Sequence, residues 1–271
     1  MIQYTTYDGP LWLRPERSFY PALEQLVTDK DHLLVLSYGQ PPYTVSLGVP
    51  HQTGTGDWRI CENRRDAHGQ IKDRPGDDNT VSFVLVAFDR LRQANISSKV
   101  VIMAHPTTHD PNKDITSPYC QEIFRQPSAL LFECHACSKY RRLDLELSAG
   151  RNYLTPTVCF GREIAKRLQY RYKLGAQNGA NKKEAIIFEA DGKRNAGILQ
   201  LPARKTASLI EAERHGMPAL HLEAKPFFRQ IPGELNTVSP AGHALGRAIA
   251  GAIRTLAYKE SGFRSLSFQH D

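Results

Sequence analysis

Glu223 closes an apolar run, from Met217 through Leu220 and Leu222, at the point where a buried strand would end. His51 follows the run Tyr43 to Pro50, and His135 follows Ala129 to Cys134, in the same kind of position. Open α/β sheets bind ligands at the carboxyl ends of their strands. Imidazole and carboxylate are suitable zinc ligands, and three protein ligands leave a fourth position for water. Zinc lowers the pKa of such a water to about 7 and polarises an amide carbonyl. A carboxylate outside the ligand set can then carry the water's proton to the leaving nitrogen, and Glu223 fits that role. Strand-end residues of these types point to a metal-hydrolase site.

Elements must carry those residues, and hydrophobic periodicity supplies them. β-rich runs at His32 to Tyr38 and Tyr43 to Val49 flank the turn-forming Gly39-Gln40-Pro41-Pro42. The polar segment from His51 to Asp77 reads as one long loop, functional or mobile at that length, with closure over a substrate among its open roles. Val81, Val84, Leu85, Phe88 and Leu91 fall at helical spacing and predict a helix over Thr80 to Gln93, behind N-cap types at Asp77 to Asn79. Ser98 to Met103 and Ala129 to Glu133 read as short strands, the first followed by a polar loop through Ser117. Leu143 to Leu147 alternates apolar and acidic residues, as a half-exposed or edge strand would. Further helices are expected near Tyr20 to Val27 and over Pro156 to Leu174, Ala203 to His215 and Pro240 to Tyr258. Further strands are expected over Ala185 to Phe188 and Met217 to Leu222. Strands alternating with helices imply an α/β fold around a mixed, largely parallel sheet, read as a single domain over residues 1–271.

Composition narrows the class. A chain of 271 residues with 41% hydrophobic and 23% charged residues is ordinary for a globular protein and long enough for a substantial core. No apolar stretch approaches the roughly 20 residues a bilayer requires, and the start lacks the charged and apolar regions of a signal peptide. A soluble, cytoplasmic protein without a membrane partner is the expectation. The net charge of +7 suits a small anionic substrate. The basic residues are scattered without a nucleic-acid motif, so no nucleic-acid partner is expected. Five cysteines, an odd number, argue against a disulfide framework and for a reducing compartment. Cys134-His135-Ala136-Cys137 has no second ligand pair and opens no helix, so its thiols read as incidental. Glycine-rich dinucleotide and phosphate loops are missing, as is a Gly-x-Ser-x-Gly elbow. Nothing in the sequence sets an oligomeric state.

Several short motifs resemble a known family in their order. They are Ser46-Leu47-Gly48-Val49-Pro50-His51, Asp77-Asp78-Asn79-Thr80 at a helix start, His105 to Asp114 with Asp110-Pro111-Asn112-Lys113, Phe132-Glu133-Cys134-His135, and Leu220-His221-Leu222-Glu223. Together they resemble the N-formylglutamate amidohydrolases, part of the wider group of zinc carboxypeptidase-like hydrolases, over roughly Leu33 to Ala252. The resemblance implies a three-layer α/β/α sandwich with a mixed sheet and one zinc held by two histidines and a carboxylate. His51 and His135 match the family's histidine ligands. The chain lacks a Glu three residues after the first His. Asp77, which opens a helix three positions before Thr80 as the metal carboxylate does in related hydrolases, is the carboxylate the resemblance implies, with Asp78 and Glu62 as alternatives. Glu223 matches the general acid/base position. Asn112-Lys113 stands where related hydrolases commonly have Asn-Arg gripping a substrate carboxylate; Lys is a point charge and cannot make that planar contact. Arg229 is the candidate second cation.

The reaction implied is hydrolysis of a linear amide in an N-acyl, or N-formyl, amino acid or a similar carboxylate-bearing substrate. A zinc carboxypeptidase or deacylase with a different substrate is the alternative enzyme, and a catalytically silent anion-binding protein of the same fold is the alternative outside enzymes. His105, His109 and His221 read as structural, with His109 also placed to touch substrate. Asp144 and Glu146 read as solvated charges, and the helix from Ser239 to Ile253 as a closely packed core helix.

Overall fold

The computed structural model describes residues 2–6, 32–53, 59–65, 68, 70–75, 77–104, 110–126, 128–136, 145–149, 154–168, 171–174, 185–190, 194–199, 206–229 and 238–258. Its strands are β1 (Ile2–Thr6), β2 (His32–Tyr38), β3 (Val45–Thr53), β4 (Arg59–Arg65), β5 (Ile71–Pro75), β6 (Asp77–Asp78), β7 (Ser98–Ala104), β8 (Leu131–Ala136), β9 (Leu145–Ala149), β10 (Arg171–Leu174), β11 (Ala185–Ala190), β12 (Arg194–Leu199) and β13 (Ala219–Ala224). Its helices are α1 (Val81–Gln93), α2 (Pro118–Arg125), α3 (Leu154–Arg167), α4 (Ala207–Arg214) and α5 (Pro240–Tyr258).

One sheet runs in the order β1-β2-β7-β3-β8-β13-β9-β12-β11-β10, with the short β6 beside β3. Pairings β1/β2, β7/β3, β3/β8, β8/β13 and β9/β12 are parallel. Pairings β2/β7, β13/β9, β12/β11 and β11/β10 are antiparallel, so the sheet is mixed. Side chains alternate across a strand, and here the alternation sorts two cores. Leu34, Leu36, Val45, Leu47, Phe132, Cys134, Leu220 and Leu222 pack with α1, α3 and α5 on one face. Leu33, Val35, Val101, Leu131 and Ala219 pack with α2 and α4 on the other. The architecture is a three-layer α/β/α sandwich. Among the described residues, no helix is long and apolar enough to cross a membrane.

Several sequence-based expectations need correction. The segment from 51 to 77 is not one loop: β4 and β5 pair as a separate antiparallel hairpin within it. Two changes of period were also hidden. Helix α3 ends at Arg167, and residues 171–174 form β10 where a continuing helix was expected. Helix α2 follows the expected polar loop and was not anticipated, although Ser117 and Pro118 supply an N-cap and an N1 proline; the Ser117 side chain accepts from the Cys120 amide. Strand β9 is no edge, since β13 and β12 flank it. Its Leu145 and Leu147 enter the larger core, and Glu146, read as solvated, is buried on the opposite face. The helix expected near Tyr20 to Val27, together with His105, His109, Cys137 and Asp144, lies outside the described residues.

Lys99, on β7, is fully buried beneath the end of α2, and its ammonium donates to the carbonyls of Glu122 and Ile123 at 2.8 and 3.3 Å. It thereby caps carbonyls that a helix C-terminus leaves without partners. Burial lowers the Lys99 pKa to about 8, against the pull of Glu122. The charged form is thus disfavoured by folding, a penalty present in full below pH 8 and relieved as pH rises toward the unfolded value of 10.5. We expect the stability of Lys99→Met relative to wild type, measured by urea unfolding, to decline between pH 8 and 10. A pH-independent difference would contradict this account.

Candidate metal centre

An irregularity in β3 determines whether His51 reaches the site. Val49 pairs with Ile102 and Gln52 with Ala104, so residues 50 and 51 together oppose the single Met103. Such an extra residue is a β-bulge, which re-aims side chains. By strict alternation His51 would follow Val45, Leu47 and Val49 into the larger core. The bulge turns it to the face of Met103, the face that also carries His135.

On that face three atoms converge. His51 Nδ1 lies 3.2 Å from Asp77 Oδ2, His135 Nδ1 lies 3.1 Å from the same oxygen, and the two Nδ1 atoms are 3.2 Å apart. All three residues are buried. The outer nitrogens decide what these inner atoms are. His51 Nε2 is 2.6 Å from Asp110 Oδ1, and a carboxylate only accepts, so in the neutral ring the proton sits on Nε2. His135 Nε2 is 3.2 Å from Glu133 Oε2, which places its proton in the same way. Each Nδ1 then presents a lone pair toward the Asp77 carboxylate oxygen.

That arrangement fits a cation. Ligands about 2.0–2.1 Å from a tetrahedral zinc stand about 3.3–3.4 Å from one another. The observed edges of 3.1–3.2 Å are close to this before any ion has adjusted them. His51, Asp77 and His135 could therefore hold a metal ion. Glu133, His135 and His221 form a second close group, but hydrogen bonding commits Glu133 to the outer side of His135. A carboxylate on the far nitrogen of a metal-binding imidazole fixes ring orientation and tautomer, and Asp110 and Glu133 each stand in that position.

Both outer carboxylates are themselves held. Lys113 Nζ donates to Asp110 Oδ2 at 2.7 Å. Glu133 Oε1 accepts from Tyr119 at 2.8 Å and Ser208 at 2.7 Å, contributed by α2 and α4. Gly48 makes room for this bond, because a Cβ there would collide with the Tyr119 hydroxyl. The loop ahead of α2 is fixed too: Ser117 Oγ donates to the Pro111 carbonyl at 2.6 Å, and the Asn112 carbonyl accepts from the Ala207 amide at 2.6 Å. Asn112 stands 3.3 Å from His135 Nε2.

Parallel pairing of β13 with β8 sets His221 beside Glu133 and Glu223 beside His135. The His221 ring stacks on His135 with centroids 4.0 Å apart, and its Nε2 is 3.4 Å from Glu223 Oε1. Its Nδ1 is 3.7 Å from Glu133 Oε2, an ion-pair separation. Burial works to lower the His221 pKa, but Glu133 and Glu223 outweigh it and raise the value to about 9. Burial likewise works to raise Glu133, yet its hydrogen bond with His135 and its pairing with His221 hold it well below the usual carboxylate range. His221 is therefore an imidazolium at neutral pH, between two carboxylates.

Of the residues singled out from sequence, the structure brings His51, Asp77, His135 and Asn112 into one contact network, with Lys113 joined through Asp110 and Glu223 through His221. Arg229 is buried, and its Nε donates to the Ala224 carbonyl at 3.1 Å. Among the alternatives to Asp77, Asp78 follows it on β6 and Glu62 lies in the separate β4/β5 hairpin. Sequence reasoning missed the roles of Asp110, Tyr119, Glu133 and Ser208, and took His221 as merely structural. A signal existed: Glu133-x-His135 and His221-x-Glu223 both repeat at period 2, putting two polar residues on one face of strands otherwise apolar.

No protein-family model matches the chain, and no curated protein matches it. Among solved structures, it is similar to a metallo-carboxypeptidase from Burkholderia cenocepacia at 15% identity, with 82% of this chain and 60% of that one covered and a TM-score of 0.45. It is also similar to the N-acetylmuramoyl-L-alanine amidase AmiC2 of Nostoc punctiforme at 11% identity, covering 80% and 98% of the two chains with a TM-score of 0.44. A metallo-carboxypeptidase from Pseudomonas aeruginosa matches at 13% identity, covering 83% and 59%, with a TM-score of 0.37. The chain thus spans about 60% of the length of these carboxypeptidases.

The outer carboxylate makes a measurable demand on metal binding. We expect Glu133→Gln to weaken metal affinity about 10–100-fold, the usual cost of losing such a partner. Tyr119→Phe should give a smaller loss, and Gly48→Ala, whose new methyl displaces the hydroxyl, a loss of similar size. Competition against a chelator of known affinity, with circular dichroism to verify folding, measures all three. Unchanged affinity in folded Glu133→Gln would refute the orienting role.

Proposed function

We propose that the chain is a zinc-dependent amidohydrolase that cleaves a linear amide of an N-acyl amino acid, N-formyl included, or a similar carboxylate-bearing substrate. The observation that carries this reading is the meeting of three buried lone pairs from His51, Asp77 and His135 at 3.1–3.2 Å. Zinc in that position would polarise an amide carbonyl and make a water acidic enough to attack at neutral pH.

The chain's own groups supply the rest. Glu223 is beside the ligand His135 and outside the ligand triangle, where its carboxylate would take the proton of the attacking water and deliver it to the amide nitrogen as that nitrogen leaves. His221, 3.4 Å from Glu223, holds that carboxylate in place. Lys113 gives one of its three ammonium donors to Asp110 and keeps two for a substrate carboxylate. Asn112 offers a short amide on the same loop, and Arg229 is the second candidate cation. The basic net charge of +7 favours the approach of such an anion.

Elemental analysis of protein purified without a metal-affinity tag tests the reading. We expect about one zinc per chain in wild type, lost in His51→Ala and His135→Ala while both stay folded. Glu223→Gln should retain zinc and hydrolyse N-formyl or other N-acyl amino acids at least 100-fold more slowly, the lower range for general acid/base catalysis. Wild type that stays metal-free after zinc is added back would sink the hydrolase reading.

A further inference from the structure

A second concave site lies in the helix layer on the other side of the sheet. Arg90, Arg167, Arg247 and Arg254 line a cavity of about 350 Å³, with Ala250 and Gly251 among its other residues. On α5, Arg247, Ala250, Gly251 and Arg254 follow the spacing of a single helix stripe, two small residues between two arginines. A Cβ at Gly251 would strike the Arg167 guanidinium, so the missing side chain lets that group lie against α5.

Part of this charge has an ordinary explanation. Arg90 and Arg167 lie in the last turns of α1 and α3, where cations complement the helix dipole. Arg90 also donates to Gln93 Oε1 at 2.9 Å, and Arg167 donates to Thr255 Oγ1 at 2.8 Å with Glu163 3.8 Å away. Arg247 and Arg254 are different. They stand within α5 and are exposed, and among the described residues no carboxylate pairs with either. The nearby carboxylate of Asp89 is taken by Arg92 and Gln93. The accumulated charge is felt at the buried His243, whose pKa is lowered by burial first and then by Arg90 and Arg247. Four guanidinium groups around one hollow repel one another, and a bound anion relieves that repulsion. Each fork also matches the paired oxygens of phosphate or carboxylate.

We propose that this pocket binds a compact polyanion: a small soluble molecule carrying a phosphate chain or several carboxylates. Its volume is near the lower end of ligand pockets, about 300–1,000 Å³, which suits a small molecule rather than a polymer. The site is independent of the proposed hydrolase. Helix α1 separates them, with Asp77 just before its first turn and Arg90 in its last, about 20 Å along a helix of this length.

Isothermal titration with pyrophosphate and with citrate, in about 150 mM salt to suppress non-specific attraction, tests the proposal on four proteins. These are wild type, His51→Ala, Arg247→Ala/Arg254→Ala, and Arg254→Glu; melting temperatures verify that each is folded. We expect one saturable site in wild type that persists in His51→Ala, which excludes chelation at the metal centre. Affinity should fall at least tenfold in both arginine variants. Tighter binding of pyrophosphate identifies a phosphorylated ligand, and tighter binding of citrate a polycarboxylate. No saturable binding of either probe, binding lost in His51→Ala, or binding unchanged in the arginine variants would overturn the proposal.

Discussion

Three lone pairs pointing at one another in a buried space are a conflict that the chain maintains instead of relieving. Either histidine could end it by moving its proton to Nδ1, but that would strip the hydrogen bond from Asp110 or Glu133 and leave two acceptors opposed there. Opposed acceptors in a buried space are costly, so the outer bonds lock the inner arrangement in place. A cation at the centre would relieve the conflict. The bulge in β3 has the same logic. Regular register, with His51 opposite Ala104, would restore ladder pairing but send His51 into the apolar core, where an imidazole would have neither Asp110 nor Asp77.

The support continues outward in an ordered way. His51 leans on Asp110 and Asp110 on Lys113; His135 leans on Glu133, which is gripped by Tyr119 and Ser208 from two different helices. Helix α2 is pinned by its Ser117 cap, and the start of α4 by the Asn112 to Ala207 backbone bond. The smaller core, between the sheet and α2 and α4, thus serves as the frame of the site. Its apolar residues are few, and its polar bonds carry positional information that packing alone would not supply.

Fold class was legible because it depends on period. The helices at 81–93 and 240–258, and the strands ending at His51, His135 and Glu223, follow from hydrophobic spacing in single segments. What failed depended on context. Alternating Leu145-Glu146-Leu147 looks like a strand with one wet face, yet the acidic face of β9 is turned toward Glu223 in the neighbouring strand, a pairing across more than 70 residues of sequence. The β4/β5 hairpin is so polar that composition reads it as loop. Asp110, Tyr119, Glu133 and Ser208 were missed for the same reason. Each is an unremarkable residue until the sheet order sets β8 between β3 and β13. Local spacing can nominate a ligand, whereas the groups that orient it come from elements far away in the chain.

Charge then imposes an order on events. Asp77, Asp110, Glu133 and Glu223 outnumber Lys113 and His221 within the described cluster, so the metal-free centre repels an anionic substrate at short range although the protein as a whole, at +7, attracts one. Local repulsion dominates because screening within about 8–10 Å is weak, and burial weakens it further. A divalent cation cancels that local excess. On this electrostatic ground, a carboxylate-bearing substrate of the proposed enzyme would settle only beside a bound cation, and the same carboxylates would draw that cation in.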